Sequence, residues 1–196
     1  MGIFATPDQK TTSDVKVLFL HGLEGSPEGE KSTHLKEKWD AKSPVLRSSH
    51  LRALRAQYPE TDWAKMPKEE FNKAFSLVYS DALEAVRYQK PDVIVGSSMG
   101  GALLAKLIIE EKWSGAPVFL APAIKPLLGD VVLPEMRNSV WILAELDDVV
   151  PNSDNIIHSS LSNGNLIISM NDNHRLHYAL KNDLIDCAIV TALSFS

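Results

Sequence analysis

The 196-residue chain has a single cysteine, Cys187, so no disulfide can form within it. That excludes the disulfide-stapled scaffolds of small secreted domains and fits a reducing compartment. A basic surplus is also missing. Lys and Arg number 20 against 25 Asp and Glu, a net charge of −5, the reverse of what a nucleic-acid partner calls for. Apolar runs such as residues 15–20 are far below the ~18 residues that span a bilayer, so no membrane insertion is expected. The opening MGIFATPDQKTTSD is polar, without an apolar stretch of signal-peptide length, and residues 1–14 are expected to form a flexible lead-in. The sequence contains no HExxH, CxxC, GxGxxG or GxxxxGK[ST]. The expectation is therefore a cytoplasmic protein with no metal and no cofactor.

What is present suits one domain over 1–196. Hydrophobic residues make up 44% and charged residues 23%, enough for a core and too ordered a composition for wholesale disorder. Short apolar runs recur at 15–20, 43–48 (the weakest), 92–97, 116–122, 139–146 and 165–170. They are nearly continuous rather than alternating, the pattern of strands buried on both faces of a parallel sheet. Between them, 30–39, 68–88, 99–113 and 176–193 read as helices. Phe71, Phe75, Val78, Leu83 and Val86 recur at roughly helical spacing in the longest. Strands alternating with helices imply right-handed crossovers and a doubly wound α/β domain. In such sheets ligands sit beyond the carboxyl ends of the strands, so the loops there carry the chemistry.

Gly96-Ser97-Ser98-Met99-Gly100 reads G-x-S-x-G and sits between a strand run, DVIV, and a helical run, MGGALLAKLIIEEKW. A strand-to-helix turn this tight projects the central hydroxyl and strains its backbone, and the two glycines select Ser98 over Ser97. A serine needs a base to take its proton. Of six histidines, His174 follows the last strand run by a short loop, with His177 the competitor. The base in turn needs an acid. Asp147 and Asp148 end the run SVWILAEL, and the order Ser98, Asp147, His174 is the nucleophile–acid–base order of α/β-hydrolases. After the first strand, His21-Gly22-Leu23 lets the chain turn closely past the nucleophile. The N–H groups of Leu23 and Met99 are the expected oxyanion hole, and His21 is expected to brace that loop.

Together LFLHG (18–22), GSSMGG (96–101), LDDVVP (146–151) and NHRL (173–176) resemble the α/β-hydrolase superfamily, and most nearly its small YqiA-like serine esterases of bacteria. The resemblance spans 18–176. It implies an α/β-hydrolase fold, a three-layer sandwich with a mainly parallel six-stranded sheet of order 2-1-3-4-5-6 and helices on both faces. It also favours Asp147 over Asp148, because the acid often stands four residues before a V-P. Asn173, where the family often has Gly or Asp, leaves His174 and His177 both in view. Only residues 122–138 could hold a cover after the fourth strand run, which predicts one short helix rather than a lid domain. The stretch 50–66, with Arg52, Arg55, Tyr58 and Trp63 in it and Arg47 nearby, is expected to be a solvated helix face with core aromatics. Trp39, Trp113 and Trp141 are expected to pack, and Cys187 to be buried in the final helix. The implied activity is hydrolysis of a small ester or thioester. The competing reading is a non-catalytic binding protein on the same scaffold. Oligomeric state stays open between monomer and homodimer.

Overall fold

The computed structural model of the protein describes residues 14–59 and 63–195, and all but the last residue of the expected lead-in, 1–14, lies outside them. The elements run β1 (Val17–Leu20), α1 (Glu30–Trp39), α2 (Ser49–Gln57), a 3-10 turn (Trp63–Lys65), α3 (Lys68–Gln89), β2 (Val93–Ser97), α4 (Met99–Ile109), β3 (Ala116–Leu120), α5 (Ile124–Leu128), β4 (Val140–Ala144), α6 (Asn152–Leu161), β5 (Asn165–Ser169), α7 (His177–Lys181) and α8 (Leu184–Ser194). The five strands form one parallel sheet in the order β1-β2-β3-β4-β5.

Alternate side chains of each central strand enter two separate cores. Leu18, Leu20, Ile94, Phe119 and Trp141 face α2, α3, α4 and α5. Val17, Phe19, Val93, Val95, Val118, Val140 and Ile142 face α1, α7 and α8. This two-sided burial explains the continuous apolar runs. Phe119 and Trp141 are register partners and stack with ring centroids 4.0 Å apart. The edge strand β5 departs from the expectation. Leu166 and Ile168 are exposed on this edge strand, which no further strand flanks among the described residues.

The sheet has five strands where the sequence reading expects six. The missing one is 43–48, and the cause is local. Lys42 alone bridges Leu18, accepting from Phe19 N–H at 2.8 Å and donating to Val17 O at 3.0 Å. The next ladder donor would be Pro44, which has no N–H. The Ser43 hydroxyl instead donates to Phe19 O at 3.2 Å, and the chain leaves the sheet.

Two helix ends also differ. The expected 176–193 helix is broken into α7 and α8 at Asp183, which adopts a left-handed φ of 57° that Asp tolerates better than most residues. Helix α4 stops at Ile109 rather than 113, because Glu111 turns left-handed and the Trp113 indole N–H is drawn to Pro91 O at 2.9 Å. Cys187 is exposed, contrary to expectation. Helix α8 buries Ile185, Ala188, Ile189 and Ala192, the i, i+3, i+4, i+7 stripe, and residue 187 falls off that stripe.

Candidate active site

The carboxyl ends of β1, β2 and β4 and the loop after β5 bring the sequence-selected residues together. Ser98 stands between β2 and α4 at φ 52° and ψ −113°, a left-handed backbone that a non-glycine residue holds only under constraint. The constraint is visible. Ser98 N–H donates to Leu120 O at the end of β3, and Ser98 O accepts from Ala123 N–H, each at 2.9 Å. Gly100 lets α4 press against β1. A Cβ there would lie 1.8 Å from Leu20 O and 2.4 Å from Leu20 C. Both neighbours are backbone, so they yield poorly. Gly100→Ala is expected to destabilise the fold by about 3 kcal/mol or more in urea unfolding. A loss below about 1 kcal/mol would show that β1 moves aside.

His174 Nε2 lies 2.9 Å from Ser98 Oγ. Its Nδ1 lies 3.0 Å and 2.9 Å from the two carboxylate oxygens of Asp147. A carboxylate only accepts, so Nδ1 carries the proton, and Nε2 is left to accept from the serine hydroxyl. The Asp147 side chain is fully covered and that of His174 is 16% exposed. Burial pushes the Asp147 carboxyl upward. The His174 bond and the N–H groups of Val150 and Val149 outweigh it and hold the carboxyl below its ordinary range. The two alternatives sit elsewhere. Asp148 is exposed, with no ion pair to a histidine among the described residues, while His177 pairs through Nδ1 with Glu30 at 2.9 Å.

The loop after β1 passes close to the elbow, since a Cβ on Gly22 would sit 3.2 Å from Ser98 Cβ. Gly22 O accepts from His21 Nδ1–H at 2.8 Å and from Gly25 N–H at 3.0 Å. Two donors on one carbonyl fix the peptide plane whose N–H belongs to Leu23. Met99 N–H lies in the first turn of α4, among the helix donors that have no intrahelical acceptor. His21 is buried and its Nε2 has no partner among the described residues. Burial holds its imidazole below the ordinary value of 6.5, helped by Arg52 and opposed by Gly22 O and Glu28. The unfolded chain thus takes up this proton at higher pH than the folded one. His21's contribution to stability is complete above 6.5 and is lost as pH falls toward the depressed folded value. His158, also lowered by burial, acts in the same sense. His21→Asn keeps a donor for Gly22 O but cannot titrate. Its melting temperature is expected to fall less than the wild type's between about pH 7 and 5. Equal slopes would refute this account of His21.

Several residues that the sequence left in the background prove structural. Arg47 is held by Asp81, and Arg55 lies over the Trp63 ring, which meets Phe71 edge-on at 5.9 Å. One cluster was not legible in the sequence. His34, Asp183 and Asp186 place ligand-type atoms within 4.8 Å of one another. Lys38 already pairs with both carboxylates, at 2.5 Å from Asp183 and 3.4 Å from Asp186, and the Trp39 indole N–H donates to Asp186 at 2.6 Å. That makes the cluster a clamp between α1 and α8 rather than a cation site.

No family model and no curated protein matches the chain. Solved structures do. A protein from Xanthomonas campestris pv. campestris assigned to hydrolases of the alpha/beta superfamily is 19% identical, with 90% of this chain and 96% of that one covered and a TM-score of 0.63. Est1E from Butyrivibrio proteoclasticus is 13% identical over 95% and 88%, with a TM-score of 0.62. The Bacillus cereus carboxylesterase is 17% identical over 91% of each chain, with a TM-score of 0.58. No described helix is long and apolar enough to cross a membrane. With its parallel sheet, two helical layers and structural neighbours taken together, the chain has the α/β-hydrolase fold.

Proposed function

We propose that the protein is a serine hydrolase that cleaves small carboxylic esters or thioesters through an acyl-enzyme. The observation that carries this reading is the unbroken relay Ser98 Oγ, His174 Nε2, His174 Nδ1, Asp147. His174 takes the Ser98 proton as Oγ attacks the ester carbonyl carbon. The N–H groups of Leu23 and Met99 receive the negative oxygen, and each such donor contributes about 3 kcal/mol to the transition state. The tetrahedral species collapses, and His174 gives its proton to the departing alcohol or thiol. Water then enters, loses a proton to His174, attacks the acyl carbon and releases the acid with Ser98 restored. Asp147 keeps the imidazole in one tautomer and balances its positive charge. No metal or cofactor enters this sequence.

The ester class draws support from the neighbours of the same fold, which include a carboxylesterase, although a fold by itself specifies no reaction. The short-chain preference draws support from the cover. Between β3 and β4 there is one helix of 5 residues, α5, packed on the 3-10 turn at Trp63. The test is a fluorophosphonate probe followed by peptide mapping. Stoichiometric modification of Ser98 is expected. An intact protein that leaves Ser98 unmodified is a binding protein on a hydrolase scaffold instead. On p-nitrophenyl esters of increasing length, rates are expected to be highest for the shortest acyl groups. Maximal rates on long chains would overturn that preference.

A further inference from the structure

We propose that Lys31, on the first turn of α1, is a positioning residue that holds His174 against Ser98 by clamping the carbonyl of Arg175. The proposal rests on the triad reading above.

Lys31 Nζ donates to Arg175 O at 2.5 Å, joining residues 144 positions apart. Residue 175 directly follows the histidine, so this bond fixes the peptide on the carboxyl side of His174. The carbonyl needs an outside donor for a definite reason. In a continuing helix Arg175 O would accept the N–H of Ala179, four residues on. That N–H is taken by Asp172 Oδ2 at 2.9 Å. Asp172 is itself buried and also holds Ser169 Oγ and Asn173 N–H. The turn 173–176 is closed from within by Leu176 N–H to Asn173 O and Arg175 N–H to Asn173 Oδ1, with Leu176 at a left-handed φ of 54°. This turn aims the freed carbonyl away from its own helix and toward α1.

Lys31 is only partly exposed, and burial lowers its proton affinity, with Glu30 and Asp172 opposing and Arg175 assisting. Burying a cation is costly, so such a site persists where the cation satisfies a specific acceptor. Its neighbour Glu30 reaches His177 on the far side of the same turn at 2.9 Å, but that pair is half-exposed and contributes little. Helix α1 does not depend on Lys31 for its seat. Leu35 and Trp39 are buried, and His34 and Trp39 both bond Asp186. Loss of the clamp should therefore loosen the histidine turn and leave the fold in place.

Full-length wild type, Lys31→Met and Lys31→Arg are compared by the rate of fluorophosphonate labelling at Ser98, by kcat and KM on p-nitrophenyl acetate, and by melting temperature. Wild-type labelling is read first and reports on the triad alone. If it is absent, the triad reading fails, and the Lys31 proposal fails with it. With wild-type labelling present, Lys31→Met is expected to label and turn over about 10- to 100-fold more slowly, as loss of ~1 Å precision at a reacting group does. KM should stay within about twofold, melting should shift by a few degrees at most, and Lys31→Arg should recover most of the rate. Labelling of Lys31→Met within about twofold of wild type overturns the proposal. A loss in which kcat and melting temperature fall together, with Arg restoring neither, also overturns it. Should Lys31→Met fail to fold, Lys31→Gln, too short to reach Arg175 O, takes its place with the same expected slowing.

Discussion

In the Ser98→Ala variant, turnover of p-nitrophenyl acetate is expected to fall by about 10⁴- to 10⁶-fold, the range seen when a triad nucleophile is removed. At 1.36 kcal/mol per tenfold step, this is about 5–8 kcal/mol of transition-state stabilisation. The size follows from the geometry. Ser98 Oγ is the only hydroxyl that meets His174 Nε2, at 2.9 Å among the described residues. Ser97, one residue away, is buried within β2 and cannot replace it. The fold should survive, because the strained elbow is held by main-chain bonds to Leu120 and from Ala123 that an alanine keeps. Circular dichroism and melting close to wild type, with activity gone, are the expected pair of results. Undiminished activity in a folded variant would remove Ser98 from the chemistry.

Asp147→Asn is expected to lower kcat by about 10⁴-fold at neutral pH, as in triads whose acid becomes an amide. The amide nitrogen donates to His174 Nδ1, which drives the ring proton onto Nε2. A protonated Nε2 faces Ser98 Oγ and cannot take its proton. The amide oxygen still accepts from Val149 and Val150 N–H, now at 2.9 Å and 2.8 Å, so the turn should hold. The adjacent Asp148→Asn provides the internal control. Asp148 is exposed and off the relay, and kcat should change by less than about twofold. A large loss in Asp148→Asn with little in Asp147→Asn would reverse the assignment of the acid.

Much of this was readable from the chain, for identifiable reasons. The elbow is a local pattern: glycines two residues either side of a serine, between a buried strand and a helix, need no knowledge of the rest of the protein. Strands β1 to β4 read well because their burial on both faces leaves no ambiguity of period. Asp147 and His174 were harder. Each was drawn by its place after a strand, Asp147 also by its register to Val150-Pro151, and it is the contacts of His174 with Ser98 and with Asp147 that set the two apart from Asp148 and His177. What stayed hidden is what depends on residues far apart in sequence. Lys31 on Arg175 and the His34–Asp186 contact join positions 144 and 152 apart, and no local spacing predicts either. The expected sixth strand failed over a single missing donor at Pro44, a detail that hydrophobic pattern does not weigh. Cys187 was misplaced by its apolar neighbours Ile185 and Ile189, which share a helix with it but not a face.

The departure of the chain at Pro44 also makes the sheet one-sided. Past Lys42 on the β1 side, the carbonyl that a newcomer would use already accepts from Ser43. The β5 margin has no such stopper, and residues 163–171 beside it include no charged side chain. The β5 margin is therefore the more open of the two. A strand joining the sheet there lies along β5 and meets the exposed side chains of Leu166 and Ile168.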